Sequence, residues 1–121
     1  MSQNKRSPHP QALPQYDRAE IRREKLEGYA LNLAHPDGKH KALVFKSALG
    51  LEQDDWQWLQ QQIIAELPYH EAIPKYADKH GERYEVLIPV TGKNGKIVLV
   101  ATGWIIKRGT DYPYLTTAYI R

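Results

Sequence analysis

The alternation of apolar and polar positions divides the chain into a helical half and a strand-rich half. Apolar residues recur at spacings of three and four in residues 38–49 and again in residues 54–67, which predicts two helices with one buried face each. Gly50 is the expected stop of the first of these helices, because helices commonly end at a glycine. Pro68 ends the second, because proline has no backbone N–H to continue the helix.

The C-terminal third predicts strands instead. Residues 84–91, 96–106 and 114–120 are rich in β-branched and aromatic residues, and Asn94-Gly95 between the first two is a strong hairpin pattern. Residues 96–106 are apolar at consecutive positions, which is typical of a central strand covered on both faces. We therefore predict an α+β fold, with N-terminal helices packed on an antiparallel meander of three to four strands.

The rest of the chain has weaker patterns. Residues 1–16 contain three prolines and little apolar periodicity, which predicts a disordered tail before a single domain of residues 17–121. Within that domain we expect a short helix at residues 18–27 and a short strand at residues 29–33. Residues 69–82 are polar and are expected to be irregular, and Pro89 is expected to lie at an edge or a bulge.

Composition excludes several classes of function. The chain has 121 residues, a formal net charge of +3 and no cysteine, so disulfides, zinc–thiolate sites and cysteine nucleophiles are excluded. No apolar run approaches the roughly 20 residues of a membrane helix. No apolar stretch follows Lys5 and Arg6, as a signal peptide would require. We expect a cytoplasmic protein with no membrane association.

The segment of residues 35–41 concentrates candidate chemistry. It places His35, Lys39, His40 and Lys41 at the start of the first predicted helix, with Asp37 as the expected N-cap. A helix N-terminus carries partial positive charge, so lysines there are unfavourable unless an anion lies nearby. Phosphate is the anion that helix N-termini commonly bind.

Other chemistries lack their motifs. The sequence contains no glycine-rich dinucleotide or phosphate loop and no Gly-x-Ser-x-Gly nucleophile elbow. His35 and His40 are not spaced as helical metal ligands, and we expect neither a metal nor a cofactor. The remaining polar set suits RNA cleavage, which needs a base, an acid and cationic donors that stabilise the phosphorane. The candidate catalytic residues are His35, Lys41, Thr117 and Tyr119, and the candidate RNA-binding residues are Lys39, His40, Trp104 and Thr116. Simpler interpretations exist for most of these residues. They are a loop end for His35, solvated turn residues for Lys39 and His40, a stem packed over the helix face for Lys41, ordinary strand residues for Thr116 and Thr117, and a core residue for Trp104.

Four groups of residues carry a resemblance to a known family. They are Glu24-Lys25-Leu26-x-Gly28-Tyr29-x-Leu31-Asn32, His35-Pro36-x-Gly38-x-x-Lys41-Ala42-x-x-Phe45-x-x-x-Leu49-Gly50, Gly92-x-Asn94-Gly95-Lys96 and Trp104-x-x-x-x-Gly109-x-x-x-Pro113-x-Leu115-Thr116-Thr117-Ala118-Tyr119. Over residues 20–120 the chain resembles a small bacterial domain of unknown function that occurs in polymorphic toxin systems, with genes often beside a short antitoxin-like gene. Its proposed fold is similar to the barnase/EndoU/colicin D/RelE group of ribonucleases.

The resemblance implies a metal-independent endoribonuclease toxin that acts on RNA and is neutralised by a small cognate antitoxin. By this resemblance His35, Lys41, Trp104, Thr117 and Tyr119 match the polar positions of the family. The alternative is a non-enzymatic protein-interaction module of a toxin–antitoxin or related system, which would dock through the C-terminal sheet or its edge.

Overall fold

Helices precede a four-stranded sheet in the computed structural model, which describes residues 6–121. The helices are α1 (Arg23–Lys25), α2 (Lys39–Leu49) and α3 (Trp56–Glu66). The strands are β1 (Ala72–Asp78), β2 (Gly81–Thr91), β3 (Ile97–Lys107) and β4 (Tyr114–Ile120). Short 3-10 turns lie at Tyr16–Arg18, Gln53–Asp55 and Leu67–Tyr69, and a π-helical turn lies at Leu26–Ala30. The predicted α+β fold is confirmed.

The sheet is an antiparallel meander in the order β1-β2-β3-β4. β2 and β3 pair along their whole length, from Gly81 opposite Lys107 to Thr91 opposite Ile97. The helices cover one face, where Phe45 of α2 and Ile63 of α3 are fully buried against Val100 of β3. The other sheet face is called the open face below, because no helix covers it.

The helices and strands with a clear apolar period form as predicted. Gly50 ends α2 in the left-handed conformation, with φ of 67°, and Leu51 N–H donates to the Phe45 carbonyl at 3.3 Å. β3 is buried on both faces at consecutive positions, from Val100 to Thr102. Pro89 lies where β2 extends past the end of β1, since the β1 pairing stops at Val86.

Two local predictions are wrong. Residues 29–33 form no strand, because Tyr29 belongs to a π-helical turn in which Leu31 N–H donates to the Leu26 carbonyl at 2.9 Å. An alternation of apolar residues over so short a segment fits a buried turn equally well. The helix expected at residues 18–27 is reduced to α1 and this turn, because residue Glu20 pairs with β4 in an extended bridge to Tyr114.

The irregular segment expected at residues 69–82 contains β1. This strand is the sheet edge, and only Ala72 at its start is buried, so it has no apolar alternation for a sequence pattern to detect. Its proline, Pro74, precedes a shift in the pairing with β2 that ends at Tyr76. An edge strand tolerates proline because one side needs no ladder hydrogen bonds.

The described part of the predicted tail is packed against the domain. Leu13 is 1% exposed and belongs to the core. Its segment is fixed by backbone bonds from His9 N–H to the Pro68 carbonyl (2.9 Å) and from Ala72 N–H to the Gln11 carbonyl (2.8 Å). Residues 1–5 of the predicted tail lie outside the described residues. Within residues 6–121, no helix has the length and apolarity that crossing a membrane requires.

Candidate functional site

Lys41 is the centre of a polar cluster where α2 meets the β4 edge of the sheet. Its ammonium nitrogen donates to Thr117 Oγ1 at 3.2 Å and to the Tyr29 hydroxyl at 3.4 Å. The same nitrogen lies 5.5 Å from the centre of the Tyr119 ring. The structure therefore brings together three of the residues proposed for catalysis, Lys41, Thr117 and Tyr119. Among residues 6–121, Lys41 forms no ion pair with a carboxylate.

The π-helical turn presents Tyr29 to this lysine. Leu26 and Ala30 of the turn are fully buried, so the turn is anchored to the core and Tyr29 is aimed outward. Gly38, just before α2, lies so close to the turn that an added Cβ would stand 2.4 Å from the Tyr29 carbonyl oxygen. Single π-helical turns are rare in proteins, and those that occur are often found at functional sites.

His35 holds the turn that leads into α2. Its Nδ1 accepts the backbone N–H groups of Asp37 at 3.0 Å and of Gly38 at 3.1 Å. The Asp37 N-cap prediction is wrong, since Gly38 is the N-cap residue of α2 and no side chain caps the helix. His35 instead fixes the turn before the helix through Asp37 and Gly38. Because Nδ1 accepts, the imidazole proton lies on Nε2. His35 can thus donate a hydrogen bond through Nε2.

A β-bulge positions the threonines. β3 and β4 change register between Gly103 and Trp104, with Gly103 opposite Thr117 and Trp104 opposite Leu115, so Thr116 is the extra residue. A Cβ on Gly103 would stand 2.9 Å from Thr117 Cγ2 and 3.0 Å from Thr116 Oγ1. The glycine therefore makes room for both threonine side chains beside Lys41.

These residues line one open cleft of about 600 Å³, which we call the Lys41 cleft. It brings together His35, Lys41, Thr116 and Thr117, and it is completed by residues of α1 and of the π-helical turn, namely Glu24, Lys25, Gly28 and Tyr29. Glu24 is the one carboxylate among these lining residues. The cleft therefore holds two lysines, a carboxylate, a tyrosine hydroxyl and a histidine donor around one space.

Three of the proposed RNA-binding residues lie elsewhere. Trp104 is 1% exposed and belongs to the core, with its Nε1–H donating to Thr102 Oγ1 at 2.8 Å. The prediction of a base-stacking surface at Trp104 is therefore wrong, because its side chain lies on the helix-covered face of β3. Lys39 and His40 are exposed at the start of α2 and do not line the Lys41 cleft.

Sequence patterns did not single out Glu24, Lys25 or Tyr29 for the site. All three lie within one of the segments on which the family resemblance rests, so their recurrence there was the available indication. The incorrect strand at residues 29–33 hid the fact that Tyr29 follows Lys25 by about one helical turn.

The fold and the cleft define a small α+β domain with a polar site between its first helices and the last strand. The chain belongs to the family described as "Domain of unknown function (DUF6883)", whose pattern matches residues 12–121. No curated protein matches the chain. No solved structure matches it.

Proposed function

We propose that the Lys41 cleft cleaves RNA by general acid/base transesterification. The observation that carries this proposal is the lysine itself, whose ammonium contacts neutral hydroxyl groups and tyrosine rings in an open cleft. Among residues 6–121 it pairs with no carboxylate. A half-buried cation of this kind is available to a phosphate, whose charge increases in the phosphorane transition state. Thr117 adds a hydroxyl donor beside the same position.

The roles of the neighbouring groups follow from the chemistry. The Glu24 carboxylate takes the proton of the ribose 2′-OH, and the 2′-oxygen forms a bond to phosphorus. The bond from phosphorus to the 5′-oxygen breaks, and Tyr29 donates its hydroxyl proton to that leaving oxygen. Since the Tyr29 oxygen accepts a bond from Lys41, its own proton points away from the lysine and is free to be donated. The products are a 2′,3′-cyclic phosphate and a 5′-hydroxyl.

His35 has a positioning and binding role in this scheme. Its Nδ1 is occupied by two backbone donors, which leaves Nε2–H as the ring group that can bind substrate. Its Nε2–H is directed by the same two bonds and offers a fixed donor at the cleft. Tyr119 lies on the open face beside Lys41, where its ring is available to a base next to the cleaved phosphate.

The test is cleavage of a labelled RNA by purified protein, with EDTA present to check metal independence. Lys41→Met should reduce kcat/KM by about 100- to 1,000-fold, the usual effect of removing one transition-state donor. Lys46→Met is the matched control, because Lys46 lies on the same helix, is 52% exposed and faces Glu52 instead of the cleft. Equal activity of the two variants would refute the site.

In cells, we propose that this activity acts in the cytoplasm as a toxin neutralised by a small cognate antitoxin. Inducible expression in bacteria should arrest growth, and Lys41→Met should relieve the arrest while Lys46→Met should not. Normal growth with soluble wild-type protein would contradict the toxin proposal.

A second candidate is a non-enzymatic protein-interaction module. It is favoured by an apolar patch on the open face, where Ile97 is 66% exposed and Leu99 is 48% exposed on alternate positions of β3. The same cleavage assay separates the two candidates, since an interaction module leaves the RNA intact.

A further inference from the structure

Two stacked tyrosines form a second cationic surface where the chain enters β4. The rings of Tyr112 and Tyr114 lie 5.2 Å apart at an interplanar angle of 25°, and their hydroxyl groups are 3.0 Å apart. We call them the tyrosine pair. Only one of the two hydroxyls donates in their mutual bond, so the pair keeps a free hydroxyl proton at its rim.

Three cations surround this pair. The Arg18 guanidinium lies 5.1 Å from the centre of the Tyr112 ring. The Arg22 guanidinium lies 5.0 Å, and the Lys107 ammonium 4.8 Å, from the centre of the Tyr114 ring. Such distances are typical of cation–π contacts. Aromatic rings combined with cations are the features that bind single-stranded nucleic acids, through base stacking and phosphate contacts.

The charges at the pair are incompletely neutralised. Arg18 pairs with Asp111 at 2.9 Å and Arg22 pairs with Glu20 at 2.8 Å, both at exposed positions. Exposed ion pairs of this kind contribute little, so a phosphate can replace the carboxylate. Lys107 forms no ion pair among residues 6–121. The surface therefore suits an anion that also carries flat rings for stacking. A nucleic acid has such rings in its bases, and a carboxylate-rich peptide does not.

The pair lies in line with the Lys41 cleft. Tyr114 begins β4 and Thr117 of the cleft follows on the same strand, at a separation of about 10 Å by strand geometry. The bridge between Glu20 and Tyr114 brings the preceding segment alongside, and Arg22 leads directly into α1, where Lys25 lines the cleft. Arg22 thus lies at the pair, three residues before Lys25, which lines the cleft together with Lys41.

We propose that the tyrosine pair is a base-binding subsite for single-stranded RNA whose backbone continues into the Lys41 cleft. This inference rests on the proposed function for the direction of the strand. A base stacks on the outer face of Tyr112 in place of the Arg18 guanidinium, which is 50% exposed and can turn to the adjacent phosphate. Tyr119 holds a base on the other side of Lys41, so that the phosphate at Lys41 lies between two stacked bases.

The test measures the affinity for a fluorescent 2′-O-methyl RNA oligonucleotide, which cannot be cleaved, by anisotropy at low salt. Tyr112→Ala should weaken binding about 5- to 150-fold, the effect of losing one base–aromatic stack. Tyr112→Phe keeps the ring and should bind within about two-fold of wild type. Trp58→Ala is the matched control, because Trp58 is an exposed aromatic residue whose Nε1–H donates to the Thr91 carbonyl, at the end of the sheet opposite Lys107 and the pair. This variant should leave the affinity unchanged.

The variants must be compared as folded proteins, so thermal unfolding of each is measured first. If Tyr112→Ala is unstable, Arg18→Gln and Lys107→Met test the same surface without changing either tyrosine. Each should lower the affinity for RNA and make that affinity less dependent on salt concentration. Unchanged affinity in all folded variants overturns the subsite. Binding of an acidic peptide at the pair without RNA binding overturns it as well.

The subsite and the cleavage proposal fail separately. Lys41→Met should slow cleavage by about 100- to 1,000-fold while retaining most of the affinity that Tyr112→Ala loses. A wild-type protein that cleaves RNA with no effect of Tyr112→Ala refutes the subsite alone. A wild-type protein that binds RNA through Tyr112 and cleaves none refutes the cleavage proposal alone.

Discussion

The two faces of the sheet differ in burial and in what β4 presents on each: apolar core residues on one, polar and aromatic site residues on the other. On the helix-covered face, Val86, Val100 and Trp104 are at most 1% exposed. The buried hydroxyl of Thr102 on this face donates to the Val86 carbonyl at 2.7 Å and accepts from Trp104. On the open face, Thr117 and Tyr119 of β4 meet Lys41.

This difference shows that one sequence motif can contain both residues that stabilise the core and residues that line the proposed site. Trp104 and Thr117 belong to one segment of the family resemblance, yet they face opposite sides of the sheet. The register change between Gly103 and Trp104 determines this, because it places Thr117 beside Gly103 on the open face while Trp104 remains in the core. Substitutions should therefore separate stability from activity along these strands.

The largest expected effect is on the covered face. Trp104→Ala should lower the free energy of unfolding by about 3–5 kcal/mol, because it leaves a cavity and removes the partner of Thr102. Thr117→Ala on the open face should change stability by less than about 1 kcal/mol, since it loses a single half-buried hydroxyl contact. Urea denaturation measures both. Similar losses of stability would show that the two faces do not differ in the way described.

His35 contributes both to stability, through the turn held by Nδ1, and to the proposed site, through Nε2–H. His35→Ala should lower the free energy of unfolding by about 1 kcal/mol, because the N–H groups of Asp37 and Gly38 lose their acceptor. His35→Asn should retain nearly all of it, because the amide oxygen can accept the N–H groups of Asp37 and Gly38 in place of Nδ1. Both variants lack Nε2 and should cleave RNA more slowly.

The control for this pair is His40→Asn, at an exposed neighbouring position, which should leave stability unchanged. Denaturation and cleavage are measured on the same samples. If His35→Asn loses as much stability as His35→Ala, the turn does not depend on the Nδ1 acceptor.

The smallest effect is expected at the N-terminal segment, because Arg6 and Glu66 are partly exposed and solvent screens their ion pair. Arg6 donates to both carboxylate oxygens of Glu66, at 3.0 and 3.1 Å, and His70 bonds to the same carboxylate at 2.9 Å. The Arg6 hydrogen bonds, with that of His70, lower the pKa of Glu66 from 4.5 to about 2. A carboxyl with a lowered folded-state pKa adds stability above its ordinary pKa, and this contribution is lost as the pH falls.

The difference in the free energy of unfolding between wild type and Glu66→Gln should therefore reach its maximum above about pH 4.5. It should disappear as the pH falls toward about 2. Urea denaturation across this range measures it. A difference that stays constant with pH would show that the carboxylate charge does not anchor the segment. Glu71→Gln, at an exposed neighbouring position, is the control.

Sequence reasoning succeeded where one periodicity repeats over many residues. It gave α2, α3 and the three strands from β2 to β4, because each buries one face or both faces in a regular pattern. It missed β1, which is exposed, and the π-helical turn, whose burial follows no standard period. Short segments are determined by their neighbours, and those contacts are not visible in the local pattern.

The same reasons explain the site. Lys41 and Thr117, separated by 76 residues, were paired on chemical grounds and lie 3.2 Å apart. Trp104 was misplaced because its strand alternation gives two faces without saying which one the helices cover. Tyr29 and Glu24 were missed because their position depends on the π-helical turn.

The measurement that tests the central claim most directly is analysis of the RNA ends produced by the purified protein. A short RNA is incubated with wild type, with Tyr29→Phe and with Lys46→Met, and the products are weighed by mass spectrometry. The proposal predicts that wild type and Lys46→Met produce 2′,3′-cyclic phosphate and 5′-hydroxyl ends. Tyr29→Phe should produce the same ends at a rate at least about 100-fold lower. Intact RNA, or ends with a 5′-phosphate and a 3′-hydroxyl, would contradict it.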